Sequence, residues 1–139
     1  MRHELIDLPL RSDARGRLGF AQQGEHIPFA VKRVFYVYDI PPGVSRAGHE
    51  HRSQHQYLIM LAGSCEVGVD DGTTRDSVEL GSPQLALYAP PLTWLDLSGF
   101  SAGSVCLVLA SDLYDELDYL RDYEEFRRLA GTGRHPPSG

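Results

Sequence analysis

The chain has little positive charge, almost no cysteine and no long apolar run. Its 13 lysines and arginines are outnumbered by 19 aspartates and glutamates, for a formal net charge of −6. That balance excludes a general nucleic-acid binder, which neutralises phosphates with clustered cations. It still allows a small anionic ligand held by a few local arginines. The two cysteines, Cys65 and Cys106, each sit inside an apolar run. They read as buried free thiols and not as a disulfide or redox pair. No stretch approaches the roughly 20 apolar residues of a membrane span. The opening MRHELIDLPL carries acids and a proline where a secretory signal has its apolar centre. These absences lead to the expectation of a cytoplasmic protein with neither a membrane nor a nucleic-acid partner.

What is present suits one domain: 139 residues, 42% of them apolar, can enclose a single core. The clearest strand of the first third is VKRVFYVYDI, residues 31–40, which stops at Pro41-Pro42-Gly43. Alternation places Arg33, Phe35 and Val37 on one side of it and Val34, Tyr36 and Tyr38 on the other. Further strands are expected at 56–61, 65–69, 77–80, 85–89, 94–97 and 105–110, separated by glycine, proline and aspartate turns. Residues 1–11 and 18–21 read as short strands around a turn at 12–16. The series predicts an all-β antiparallel sandwich or barrel. Ser111-Asp112 then caps LYDELDYLRDYEEFRRLAG, whose apolar spacing, early acids and late Arg127-Arg128 predict a C-terminal α-helix ending at Gly131. A single domain over 1–131 is expected, with a disordered tail at 132–139.

The stretch GVSRAGHEHRSQHQYLIMLAG, residues 43–63, spaces His49, His51 and Gln56 between two glycines. Every interval matches the first signature of the cupin barrels, which implies a double-stranded β-helix, a jelly-roll barrel. The usual glutamate is replaced by Gln56. The second signature, with the histidine that completes a metal site, falls in YAPPLTWLDL, where that position holds Leu95. Two imidazoles and an amide make a poor transition-metal site, so no metal is expected. His55 reads as a surface histidine. Two paired imidazoles instead suit general acid–base chemistry, because an unperturbed histidine takes and returns a proton near neutral pH.

The blocks IPFAVKRVFYVYDIP, RAGHEH, QYLIMLAGSCEVGVDDG, LYAPPLTW and FSAGSVCLVLASDLYDELDYLRDYEEF together resemble the nucleotide-sugar 3,4-ketoisomerase family, over about residues 10 to 130. The resemblance implies a cofactor-free enzyme acting on dTDP-4-keto-6-deoxy-D-glucose, and a homodimer with exchanged N-terminal strands. It implies His49 as catalytic base and His51 as its partner, with Arg46 ahead of them. Arg33, Tyr36 and Tyr38 match the strand that lines the pocket, and Gln56 matches the family glutamine. The chain departs from the pattern at Ala47, at Glu50 between the histidines, and at Leu95-Asp96, where the family carries a polar pair.

The implied reaction moves a ketone from C4 to C3 of the sugar. His49 shuttles the proton, and His51, Tyr36 or Tyr38 donates to the oxygen. For the diphosphate, Arg15, Arg17, Arg33, Arg46 and Arg121 are the available cations; Arg121 sits among Asp118 and Asp122 and reads as locally paired. Trp94 either stacks on the base or fills the barrel mouth. The competing readings are a nucleotide-sugar epimerase, a non-catalytic sugar-nucleotide-binding cupin, and a metal-dependent dioxygenase.

Overall fold

The computed structural model describes residues 2–47 and 53–113. The expected C-terminal helix and tail, Arg121, and the pair His49 and His51 lie outside the described residues. Those described form strands and no helix: β1 (Glu4–Asp7), β2 (Leu10–Asp13), β3 (Gly16–Gly19), β4 (Arg33–Tyr38), β5 (Arg46–Ala47), β6 (Gln56–Ala62), β7 (Cys65–Asp70), β8 (Arg75–Leu80), β9 (Leu85–Ala89), β10 (Trp94–Ser98) and β11 (Val105–Ala110). All pairings between strands are antiparallel. One sheet runs β1-β9-β6-β11-β4 and a second β5-β10-β7-β8, while β2 and β3 form a separate hairpin.

The main core lies between the two sheets. Leu58, Met60, Leu87, Cys106 and Val108 from the first meet Val67, Val69, Val78, Leu95 and Leu97 from the second, with Phe35 and Val37 packed against them. The first sheet is also covered on its outer face, where Leu8, Ile27, Tyr57, Ile59 and Tyr88 form a second cluster joined by Phe29 and Val31. Covered on both sides, β6 needs apolar residues at successive positions, which is why QYLIML reads as a continuous run and not an alternation.

The N-terminal region differs from the expected strands at 1–11 and 18–21 around a turn at 12–16, since the first of these is two strands, β1 and β2. Pro9 separates β1 from β2, and the chain reverses at Ala14-Arg15, where the Asp13 carboxylate accepts from the Arg15 backbone N–H at 2.8 Å. Every residue of the β2–β3 hairpin is exposed.

Gly63 closes the histidine stretch with a left-handed backbone, φ 73°. A Cβ there would lie 2.5 Å from Ser101 Oγ and 2.6 Å from Ser104 Oγ. The close approach lets the Ser64 N–H donate to Ser101 Oγ at 2.9 Å and Ser64 O accept from the Ser101 N–H at 3.0 Å. Gly63→Ala combines a left-handed Cβ with overpacking and is expected to destabilise the fold by roughly 2–4 kcal/mol, measured by urea denaturation.

Both cysteines are free and buried, as expected. Burial pushes the Cys65 thiol from 9.0 up to about 11. It pushes Cys106 from 9.0 to about 12, with Cys65 adding to the effect. Burial likewise raises the Tyr57 phenol from 10.0 to about 12. Each group is neutral when folded, and the unfolded chain ionises first. Stability is therefore full below about pH 9 and falls as the pH climbs toward the folded values. The loss is about 1.4 kcal/mol per pH unit for each group ionised only in the unfolded chain. Denaturation midpoints measured from pH 8 to 11 should fall from about pH 9 upward, and the thiols should resist thiol reagents at pH 8 until the chain is unfolded.

Candidate functional site

Across the first sheet, residues directly opposite one another share a face. Ala89 faces Gln56, Gln56 faces Ala110, and Ala110 faces Arg33. The next row inward is Leu87, Leu58, Val108 and Phe35, all in or against the main core. The enclosed face is thus apolar in its middle and ends in a row of two alanines, an amide and a guanidinium. Ala89 and Ala110 are small and buried, so the polar side chains of the row are Gln56 and Arg33. The structure brings these two expected site residues into one row.

Arg33 lies over the Phe35 ring, 5.0 Å from guanidinium carbon to centroid. Its Nη2 donates to Gln54 Oε1 at 3.1 Å. Gln54 is buried at 3% exposure, and its Nε2 has no acceptor among the described residues. A buried donor left without an acceptor costs about 1–3 kcal/mol. Gln54 was not singled out by the sequence because it precedes β6, where no strand alternation marks it.

In the second sheet, Leu95 is buried opposite Val69 and within the main core. The position where a cupin metal site has its third imidazole therefore faces the enclosed side and offers no lone pair. Arg46 pairs with Leu97 and so lies on that same face, at an exposed edge strand. Asp96 is on the other side. Its row runs through Gly68 to Ser77, and its carboxylate lies 3.5 Å from Arg75 Nη2, which also lies near Asp70. Burial raises the Asp96 carboxyl, with Arg75 opposing. Of the departure Leu95-Asp96, only Leu95 can touch what the two sheets enclose.

Within the single chain, other expected residues lie away from the polar row. Tyr36 and Tyr38 do not share a lining with Arg33. They stack on each other at 5.9 Å on the outer face of β4, 62% and 57% exposed, because alternation sends them opposite to Arg33, Phe35 and Val37. Trp94 is buried but belongs to the outer face of β10, in register with Asp70, so it does not fill the space between the sheets. Arg15 and Arg17 sit on the exposed hairpin, away from the polar row. Arg15 is held locally, with Nη2 2.6 Å from Asp13 Oδ2, and its guanidinium lowers the Asp13 carboxyl. His55 is not a plain surface residue: its Nδ1 meets the Tyr88 hydroxyl at 2.7 Å, and its ring stacks on Phe29 at 5.4 Å.

His55 and its neighbours fasten the start of β6. The His55 N–H donates to Ser111 Oγ at 2.8 Å, the Ser111 N–H donates to His55 O at 3.1 Å, and Ser53 Oγ donates to Asp112 at 2.8 Å. The expected helix caps therefore bond to the loop that follows the histidine pair in sequence. Among the described residues no cluster of histidine, cysteine or carboxylate side chains is arranged to hold a metal ion.

Over residues 1–131 the chain matches the family described as FdtA: WxcM-like, C-terminal. It is 39% identical over 128 residues, 92% of each chain, to the TDP-4-oxo-6-deoxy-alpha-D-glucose-3,4-oxoisomerase of Aneurinibacillus thermoaerophilus. Among solved structures it is similar to a 3,4-ketoisomerase from Helicobacter canadensis, with TM-score 0.86 and 38% identity, covering 94% of this chain and 98% of that one. It is also similar to a histidine-to-asparagine mutant of the 3,4-ketoisomerase QdtA from Thermoanaerobacterium thermosaccharolyticum in complex with TDP-4-keto-6-deoxyglucose, with TM-score 0.85 and 35% identity, covering 93% and 94%. The family match runs through both sheets and the polar row between them, and the chain belongs to the FdtA family of nucleotide-sugar 3,4-ketoisomerases.

Proposed function

We propose that this chain moves the ketone of dTDP-4-keto-6-deoxy-D-glucose from C4 to C3. The observation that carries this is the 39% identity, spread over 92% of both chains, to an oxoisomerase of that sugar. The enclosed face supports it, because its apolar lining ends in the hydrogen-bonding side chains of Gln56 and Arg33. The barrel is read as a cupin double-stranded β-helix closed by a C-terminal helix, working in the cytoplasm in deoxy-sugar biosynthesis.

His49 serves as the base. It removes the proton from C3, which is acidic because the C4 carbonyl delocalises the charge left behind. The enediolate that forms is protonated at C4, while the hydroxyl proton passes from the C3 oxygen to the C4 oxygen. Oxidation levels exchange within the substrate, so the chemistry calls for no redox cofactor. His51 is the partner of His49 and keeps the base oriented. Arg33, Gln56 and Arg46, all on enclosed faces, bind the sugar nucleotide. The mutant QdtA complexed with the keto-sugar carries a histidine-to-asparagine change, in keeping with a histidine at the centre of the chemistry.

The chain is further read as a homodimer exchanging its N-terminal strands. Val34, Tyr36 and Tyr38 on edge strand β4, and Leu10, Leu18 and Phe20 around the hairpin, are large apolar side chains left exposed. In a dimer this area is covered, and Tyr36, Tyr38, Arg15 and Arg17 act at the subunit boundary, where the hairpin arginines meet the nucleotide diphosphate. Sedimentation should give twice the chain mass, and a monomer at micromolar concentration would reject this part.

Incubating the protein with dTDP-4-keto-6-deoxyglucose in D₂O and following it by NMR should show the ketone at C3 and deuterium at C4. An epimerase would leave the ketone at C4, and a non-catalytic binder would leave both carbons undeuterated. In His49→Asn, turnover should fall by on the order of 10²–10⁴ with the melting temperature unchanged. Turnover near the native rate would remove His49 from the role of base.

A further inference from the structure

Gln54 belongs to none of the roles assigned so far, and its surroundings single it out. A guanidinium only donates, so the Gln54 atom 3.1 Å from Arg33 Nη2 is the amide oxygen. That contact fixes which way round the amide sits. The two N–H groups of Nε2 are then left in a buried side chain, 3% exposed, without an acceptor among the described residues. A folded chain seldom keeps such a group without a use. Gln54 reaches Arg33 at the polar end of the enclosed face, in the row that holds Gln56, and it follows His51 by three residues in the chain.

We infer that Gln54 is the oxygen-side donor of the reaction: its Nε2 donates to the sugar oxygen on which negative charge grows as the enediolate forms. Arg33 holds the amide oxygen and so aims the nitrogen before substrate arrives. A donor fixed in advance, in a site sheltered from water, stabilises developing charge without reorganising. Tyr36, on the outer face of its strand, is relieved of that role within its own chain. The inference rests on the isomerase reading and adds the identity of the donor.

The test compares Gln54→Glu and Gln54→Met with the unaltered protein on the keto-sugar. The glutamate keeps an acceptor for Arg33 and loses the donor at neutral pH. The methionine keeps the length, removes both, and adds no charge. In each, kcat should fall about 10²–10³-fold, KM should change less than about threefold, and binding of TDP alone should be unaltered. A residue that merely supports Arg33 would leave the glutamate variant active, so native-like kcat in Gln54→Glu overturns the proposal. So does native-like kcat in Gln54→Met, or a loss in both variants that only tracks a lowered melting temperature. Unaltered protein that moves no ketone rejects the isomerase reading itself, and the donor with it. Active unaltered protein with active variants rejects the donor alone.

Discussion

A strand shows alternate side chains to opposite faces, and in this molecule that geometry decides which residues can take part in chemistry. The first sheet is packed on both sides, by the second sheet on one and by Leu8, Ile27 and Phe29 on the other. A polar side chain on its central strands must therefore find partners inside the fold or lie at a row at the end of the enclosed face. Gln56 lies at such a row, between two alanines. One position further along, Tyr57 already belongs to the opposite cluster. Shifting β6 by one residue would bury Gln56 against Phe29 and remove it from the site.

The same alternation sorts the cations. Arg33 is on the enclosed face, braced by the Phe35 ring and the Gln54 amide. Arg75 is on the outer face of the second sheet, laid across Gly68, where a Cβ would come within 2.9 Å of its Nη2, and close to the carboxylates of Asp70 and Asp96. Arg15 is bound up with Asp13. In a chain with net charge −6, arginines on the outside readily find carboxylates. A neutral amide beside Arg33 supplies an acceptor without cancelling charge.

Much of the fold was legible because its strands are written in β-branched and aromatic residues between prolines and glycines; β4, β6, β7, β9, β10 and β11 fall within a residue or two of expectation. The hairpin was harder to read, since Asp13 makes a two-residue reversal where the sequence suggests a longer turn. β8 also falls within two residues of expectation, its first two, Arg75 and Asp76, being polar at an exposed strand end. At the site, the inward position of Leu95 follows from its apolar neighbours Val69 and Val67 across the ladder. The faces of β4 were read correctly from alternation, yet the family pattern placed Arg33 and Tyr36 in one pocket; a single chain cannot do both. Gln54 and His55 precede a strand, where no period applies, so their partners Arg33, Tyr88 and Phe29 come only from the tertiary structure.

Leu95 bears on the chemistry as well as on the ligand set. An aliphatic side chain opposite Val69, in one core cluster with Leu58 and Val108, lowers the polarity between the sheets. That low polarity strengthens each hydrogen bond to an oxygen that becomes negative during the reaction. A third imidazole at this position would make the lining more polar and bring another nitrogen to compete for protons. The aliphatic residue leaves the developing charge to a donor fixed in advance, the role proposed for Gln54.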